Sequence, residues 1–182
     1  VKFEVVTDGS LTLDKRHVNL SSGTVSKRYD GTPLTSDMVT IDGDGFIEEE
    51  AWDVEAIGSV TNVSEGEVTN TITYKTSDKF NADNYNIQKT EGTLKITPRK
   101  VTLTSETASK PYDGTALTKP DVKIEGSFVE GEVTDIKATG SVTNVSEGDV
   151  TNTISYTEGE KFKASNYKIE KDEGKLSITP VT

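Results

Sequence analysis

The block Gly58–Tyr74 returns 82 residues later as Gly140–Tyr156, with only Glu67 changed to Asp149 and Thr73 to Ser155. Held at that spacing, Phe46–Pro98 and Phe128–Pro180 are identical at 33 of 53 positions. A period this long and this faithful belongs to an array of structural modules, so one continuous core is the wrong starting point for this chain. Each repeat is near 80 residues, a size that folds alone but buries only a thin core. The division expected from the repeat is 1–15, 16–98 and 99–182. The last two are complete repeats. Residues 1–15 read as the closing hairpin of a preceding repeat, because Gly9-Ser10-Leu11-Thr12-Leu13 follows the pattern of Gly92-Thr93-Leu94-Lys95-Ile96 and Gly174-Lys175-Leu176-Ser177-Ile178.

Within each repeat the apolar residues alternate over short runs. Val18/Leu20 and Val101/Leu103 open the repeats; Val39/Ile41 and Val122/Ile124 follow, then Val54/Ala56 and Ile136/Ala138. Val68, Asn70, Ile72 and Tyr74 fall on one face of what reads as a single strand, with Thr69, Thr71 and Thr73 on the other. Thr90-Glu91-Gly92 and Asp172-Glu173-Gly174 read as hairpin turns with glycine at a positive φ. Lys27-Arg28-Tyr29-Asp30-Gly31-Thr32 and Lys110-Pro111-Tyr112-Asp113-Gly114-Thr115 carry turn chemistry. No amphipathic helical stretch exceeds a turn or two. Short strands at such intervals predict an all-β chain of two tandem modules, each a sandwich or a barrel. The junction Ile96-Thr97-Pro98-Arg99-Lys100-Val101 leaves almost no linker, and its proline makes a semi-rigid joint.

Composition narrows the partners. The formal net charge is −11, which keeps an array soluble and disfavours nucleic acid and anionic membrane. The chain has no cysteine, so there is neither disulfide nor thiolate chemistry. No apolar run is long enough to span a bilayer.

Several of these residues together resemble a known group. Tyr29-Asp30-Gly31-Thr32 with Leu34-Thr35, Asn84-Tyr85-Asn86-Ile87, Gly92-Thr93-Leu94 and Ile96-Thr97-Pro98 are similar to the YDG/MBG-type repeats of bacterial surface proteins. The second repeat carries the same set in Tyr112-Asp113-Gly114-Thr115, Leu117-Thr118, Asn166-Tyr167-Lys168-Ile169, Leu176 and Ile178-Thr179-Pro180. The resemblance implies Ig-like β-sandwich modules, with β-grasp-like modules as the alternative. It implies an extracellular, cell-surface or cell-wall location. It also implies a role in adhesion or in projecting an adhesive tip, with host glycan or extracellular protein as the partner and the segment itself a monomeric rod. It brings no catalytic residue and no cofactor. The chain departs from the group at Val63-Ser64-Glu65-Gly66-Glu67, where members often have a second glycine-containing turn in the middle strand region.

Candidate chemistry is sparse. His17 is the only histidine and stands where the second repeat has Lys100, so a surface role outweighs a general base. No His-dependent triad can be built, and the 31 acidic residues offer no unique carboxylate pair. Asp42 and Asp44 sit in a stretch that imitates the centre of a calcium loop, but Ala51 falls at the closing position where a carboxylate is required. Trp52, the only tryptophan, is a candidate sugar platform, set against a partly buried strand residue. Asn70 and Asn152 fall on inward faces and must find hydrogen-bond partners. They read as structural loop caps or, more sharply, as the asparagines of a Lys–Asn isopeptide crosslink with Lys27/Lys110, Lys79/Lys161 or Lys89/Lys171 as donor. Asn62 and Asn144 fit a glycosylation sequon that carries little weight in a bacterial chain. Tyr29, Asp30 and Gly31, with Tyr112, Asp113 and Gly114, read as a structural turn: glycine for backbone freedom, aspartate for the backbone N–H groups, and both tyrosine rings over the core.

Overall fold

A computed structural model of the chain describes residues 8–182. It is all-β, and among the described residues there is no α-helix. The strands are β1 (Arg16–Ser22), β2 (Val25–Arg28), β3 (Val39–Gly43), β4 (Ala51–Ala56), β5 (Val68–Thr69), β6 (Ile72–Thr76), β7 (Tyr85–Thr90) and β8 (Thr93–Thr97). They continue as β9 (Arg99–Ser105), β10 (Ala108–Pro111), β11 (Val122–Glu125), β12 (Val133–Ala138), β13 (Val150–Thr151), β14 (Ile154–Glu158), β15 (Tyr167–Asp172) and β16 (Lys175–Thr179). Single 3-10 turns occur at Val63–Glu65, Ala82–Asn84, Val145–Glu147 and Ala164–Asn166.

Spatial contacts divide the chain into two compact units. The first holds residues up to Val25 with Thr35–Ser59 and Val68–Leu94; the second holds Ser26–Leu34, Val60–Glu67 and Lys95–Thr182. In the first unit β1 is central, with β3 antiparallel on one side and β7 parallel on the other. β4 pairs antiparallel with β6, and β5 with the start of β8. The alternation of β1 sends Val18 and Leu20 inward to meet Ile72 and Tyr85, and Phe46, Tyr74, Phe80 and Ile87 close around them.

The second unit repeats that pairing. β9 lies between antiparallel β11 and parallel β15, β12 pairs antiparallel with β14, and β16 lies between parallel β10 and antiparallel β13. Leu117, Val142, Leu176 and Ile178 form one buried cluster. Phe128 packs on Tyr156, Phe162 and Tyr167 in a second. The parallel pairs differ from the Ig pattern of two antiparallel sheets.

Three local expectations are corrected. The run Val68–Tyr74 is not one strand: β5 ends at Thr69 and β6 starts at Ile72, and each pairs with a different partner. The break falls at Asn70, whose side-chain amide is used by neighbouring backbone. Gly92 and Gly174 do not adopt a positive φ. They are needed for space, since a Cβ on Gly92 would collide with the Gly23 carbonyl and one on Gly174 with that of Glu106. Finally, Gly9–Lys15 forms no strand, and Leu11 and Leu13 are fully exposed. The other arm of the expected hairpin, Phe3 and Val5, lies outside the described residues.

Candidate functional site

The Tyr-Asp-Gly turns are built as their composition requires. Asp30 Oδ1 accepts from the Thr32 N–H at 2.9 Å and from the Thr32 hydroxyl at 2.7 Å, and Lys27 Nζ lies 3.0 Å from the same oxygen. Those hydroxyl, amide and ammonium donors hold the Asp30 carboxyl at about 2, below its usual range. Asp113 repeats the pattern with Thr115 and Lys110 and is lowered for the same reasons. Gly31 and Gly114 carry φ of 83° and 80°, which a Cβ residue rarely adopts.

The tyrosines of the two turns differ, contrary to expectation. The Tyr29 ring is 4% exposed and Tyr112 is 46% exposed. Within the second unit Tyr29 meets Tyr167 edge to face, with ring centroids 5.5 Å apart. Between their hydroxyls lies Glu132, itself only 3% exposed. Tyr29 donates to its Oε2 and Tyr167 to its Oε1, each at 2.7 Å. The Tyr167 oxygen in turn accepts from the Val129 N–H at 2.9 Å. A buried carboxyl is expensive without donors, and here each oxygen has one. Burial first, then the bond to Glu132 and its charge, push the Tyr29 hydroxyl up to about 12; Tyr167 is raised by burial and the same carboxyl.

Asn166 completes the arrangement from the adjoining 3-10 turn. It is wholly buried. Its Oδ1 accepts from the Val63 N–H at 2.8 Å, and its Nδ2 donates to Asn62 Oδ1 at 3.0 Å. Glu65 Oε2 accepts from the Thr61 and Asn62 N–H groups, which fixes the Asn62–Val63 corner and lowers the Glu65 carboxyl. Arg99 Nη1 donates to the Tyr29 carbonyl at 3.2 Å while its Nε donates to the Ser127 carbonyl at 2.7 Å. The side chains that bind Tyr29 and the Asn62 corner thus come from β9, β15, the turn before β15 and the Val129–Glu132 loop.

The remaining candidates are placed as follows. Asn70 and Asn152 are fully buried loop anchors. Asn152 Oδ1 accepts from Gly140 N–H, and its Nδ2 donates to the Glu106 and Lys119 carbonyls. Asn70 does the same with Gly58, Gly23 and Ser36. The amide capacity is used on backbone, and five of the six lysines nominated for a crosslink have other partners. Lys27 and Lys110 serve their turns, Lys79 faces Glu49, and Lys89 and Lys171 bind the Ile72 and Ile154 carbonyls while lying over the Tyr74 and Tyr156 rings. Both amides thus anchor loop backbone, as a loop cap would. Asp44 Oδ2 accepts from the His17 N–H. Asp42 faces Asn19 in the sheet, and among the described residues no group of three potential ligands gathers around either aspartate. Trp52 is half exposed on β4, opposite Lys75.

Glu132 and Arg99 were not singled out from sequence, and Asn166 entered only as part of the Asn166-Tyr167-Lys168-Ile169 motif. The available signal was that Glu50/Glu132 persists although both its neighbours vary, and that the pair Asn84-Tyr85 returns as Asn166-Tyr167. The chain matches no protein-family model, no curated protein and no solved structure.

Proposed function

We propose that the chain is a non-enzymatic spacer segment of a bacterial surface adhesin, built of two serial β-modules of the YDG/MBG kind and working outside the cell. Its task is mechanical. Successive repeats hold a distal binding region away from the surface, and the joints between repeats resist bending. The observation that carries this reading is the Glu132 contact. It fixes Tyr29 and the Asn62 corner, both from the first repeat by sequence, to residues of the second through the buried Tyr29–Glu132 bond and the half-buried bonds of Asn166. A Gly/Ser tether would leave that freedom unspent. The acidic surface supports the same role, since like-charged segments stay apart in solution.

The test is to display the chain between a cell anchor and a known tip binder. Adhesion should depend on the tip, should change with the number of copies inserted, and should persist when Trp52 is changed to Ala. The isolated chain should give no reproducible signal on a panel of host glycans and matrix proteins. Reproducible binding lost in Trp52→Ala would replace the spacer reading with a binding module centred on that half-exposed ring.

A further inference from the structure

The Glu132 contact is made once, yet both of its halves occur twice in the sequence. Its receiving half, Arg99, Val129, Glu132, Asn166 and Tyr167, has counterparts in the first unit at Arg16, Ile47, Glu50, Asn84 and Tyr85. The local geometry is the same. Tyr85 donates to Glu50 Oε1 at 2.6 Å, its oxygen accepts from the Ile47 N–H at 3.1 Å, and Arg16 Nε donates to the Gly45 carbonyl at 2.6 Å. What differs is the cover. Asn84 is exposed where Asn166 is buried, and Ile47 is 43% exposed where Val129 is half-buried. A depression of about 220 Å³ opens beside Asn84, lined by Leu13, Asp14, Lys15, Asp83 and Asn84.

The inserting half, Tyr29, Asn62 and Val63, has counterparts at Tyr112, Asn144 and Val145. These are pre-shaped too. Glu147 Oε2 accepts from the Thr143 and Asn144 N–H groups, as Glu65 does for its own corner. Asp113 holds the turn beneath Tyr112. Yet Tyr112, Asn144 and Val145 are all exposed, whereas Tyr29 is buried and Asn62 and Val63 are half-buried.

We infer that these are the two open halves of one interface: the face carrying Tyr112, Asn144 and Val145 docks on the Glu50–Asn84–Tyr85 face of a second copy of this chain joined in series, Pro180 leading into Arg16 as Pro98 leads into Arg99. The identity of the partner rests on the serial-array reading above. In the docked state the Tyr112 hydroxyl donates to Glu50 Oε2, Asn84 Nδ2 donates to Asn144 Oδ1, and the Val145 N–H donates to Asn84 Oδ1. The two faces differ, so the contact is heterologous and propagates instead of closing into a dimer. The contact is small, and the covalent link supplies the effective concentration, of order millimolar, that makes it form.

Tyrosine nitration by tetranitromethane, read by peptide mass spectrometry, tests this. In the chain as it exists, Tyr112 should react and Tyr29 should be protected. In a joined chain running to Pro180 and continuing at Arg16 of a second copy, with Tyr112→Phe in the trailing copy, only the leading Tyr112 reports. Its reaction should slow about tenfold or more, toward the rate of Tyr29, because reaction then requires local opening. Asn84→Ala or Glu50→Gln in the trailing copy should restore reactivity while the melting curve shows that copy folded. A leading Tyr112 that stays as reactive as in the single chain overturns the inference, as does protection indifferent to both variants. Either result leaves a looser string of spacers standing; the spacer reading itself falls to ligand binding by the single chain.

Discussion

Truncating the two Tyr-Asp-Gly tyrosines should give unequal results although the motifs are the same. A buried tyrosine removes roughly 150–250 Å² from water, worth about 4–6 kcal/mol by area. Measured truncations of large buried aromatics fall at about 3–5 kcal/mol. Tyr29, at 4% exposure, belongs in that range, and its loss also strips one donor from buried Glu132. Tyr112, at 46% exposure, keeps about half its area in water, and its loss strands no buried polar group, so Tyr112→Ala should cost roughly 1–2 kcal/mol. The gap of about 2–3 kcal/mol corresponds to about 10 °C in the melting of a unit of about a hundred residues. Calorimetry with amide exchange at Leu103 and Leu176 reads the second unit directly, whichever unit unfolds first. Equal losses for the two variants, or the larger loss at Tyr112, would refute the assignment of Tyr29 as a buried anchor.

Three further outcomes are expected. Asn152→Ala leaves the Gly140 N–H and the Glu106 and Lys119 carbonyls short of a partner and should cost roughly 3–5 kcal/mol in denaturant unfolding; a loss under about 1 kcal/mol would mean water replaces the amide without penalty. The intact chain should show no loss of ammonia by mass spectrometry, and a mass deficit of one ammonia per crosslink would establish the Lys–Asn isopeptide instead of the loop cap. Tyr29 is raised from 10.0 to about 12, so its stabilising share is complete below pH 10 and is lost as pH rises through about 12. A shift of that size is worth about 2–3 kcal/mol. Titrated unfolding of Tyr29→Phe should therefore show a shallower alkaline loss than the parent, and identical slopes would argue against the buried hydroxyl.

Much of the scaffold was readable because local chemistry decides it. Val18/Leu20 and Val101/Leu103 alternate into the core as their period requires, and Asp30 and Asp113 bind their turns as short carboxylates do. Asn70 and Asn152 were legible as buried polar residues from their position between apolar neighbours. Their actual partners were not legible, because those are backbone groups brought in from Gly23, Ser36, Glu106 and Lys119, between 33 and 47 residues away. The same distance problem hid the parallel pairing of β1 with β7 and β9 with β15, and the crowding that demands Gly92 and Gly174.

The contact at Glu132 escaped sequence reading for a different reason. A glutamate in an acidic loop reads as solvated, whether it follows Glu49 as Glu50 does or Gly131 as Glu132 does. Local chemistry makes them alike: each accepts from the tyrosine at the start of a strand through one carboxyl oxygen. They differ in that Tyr29 arrives at the second oxygen of Glu132, which is buried. In a repetitive chain, a residue's environment is therefore set by what precedes or follows its repeat as much as by its own neighbours. One sequence block can encode an anchor at one position and an open socket at another. The useful signal is then a polar residue kept in every copy without a local reason. Asn84 illustrates it: among the described residues its side-chain amide makes no hydrogen bond, while Asn166, the same residue one repeat on, uses both ends of its side-chain amide on Asn62 and Val63.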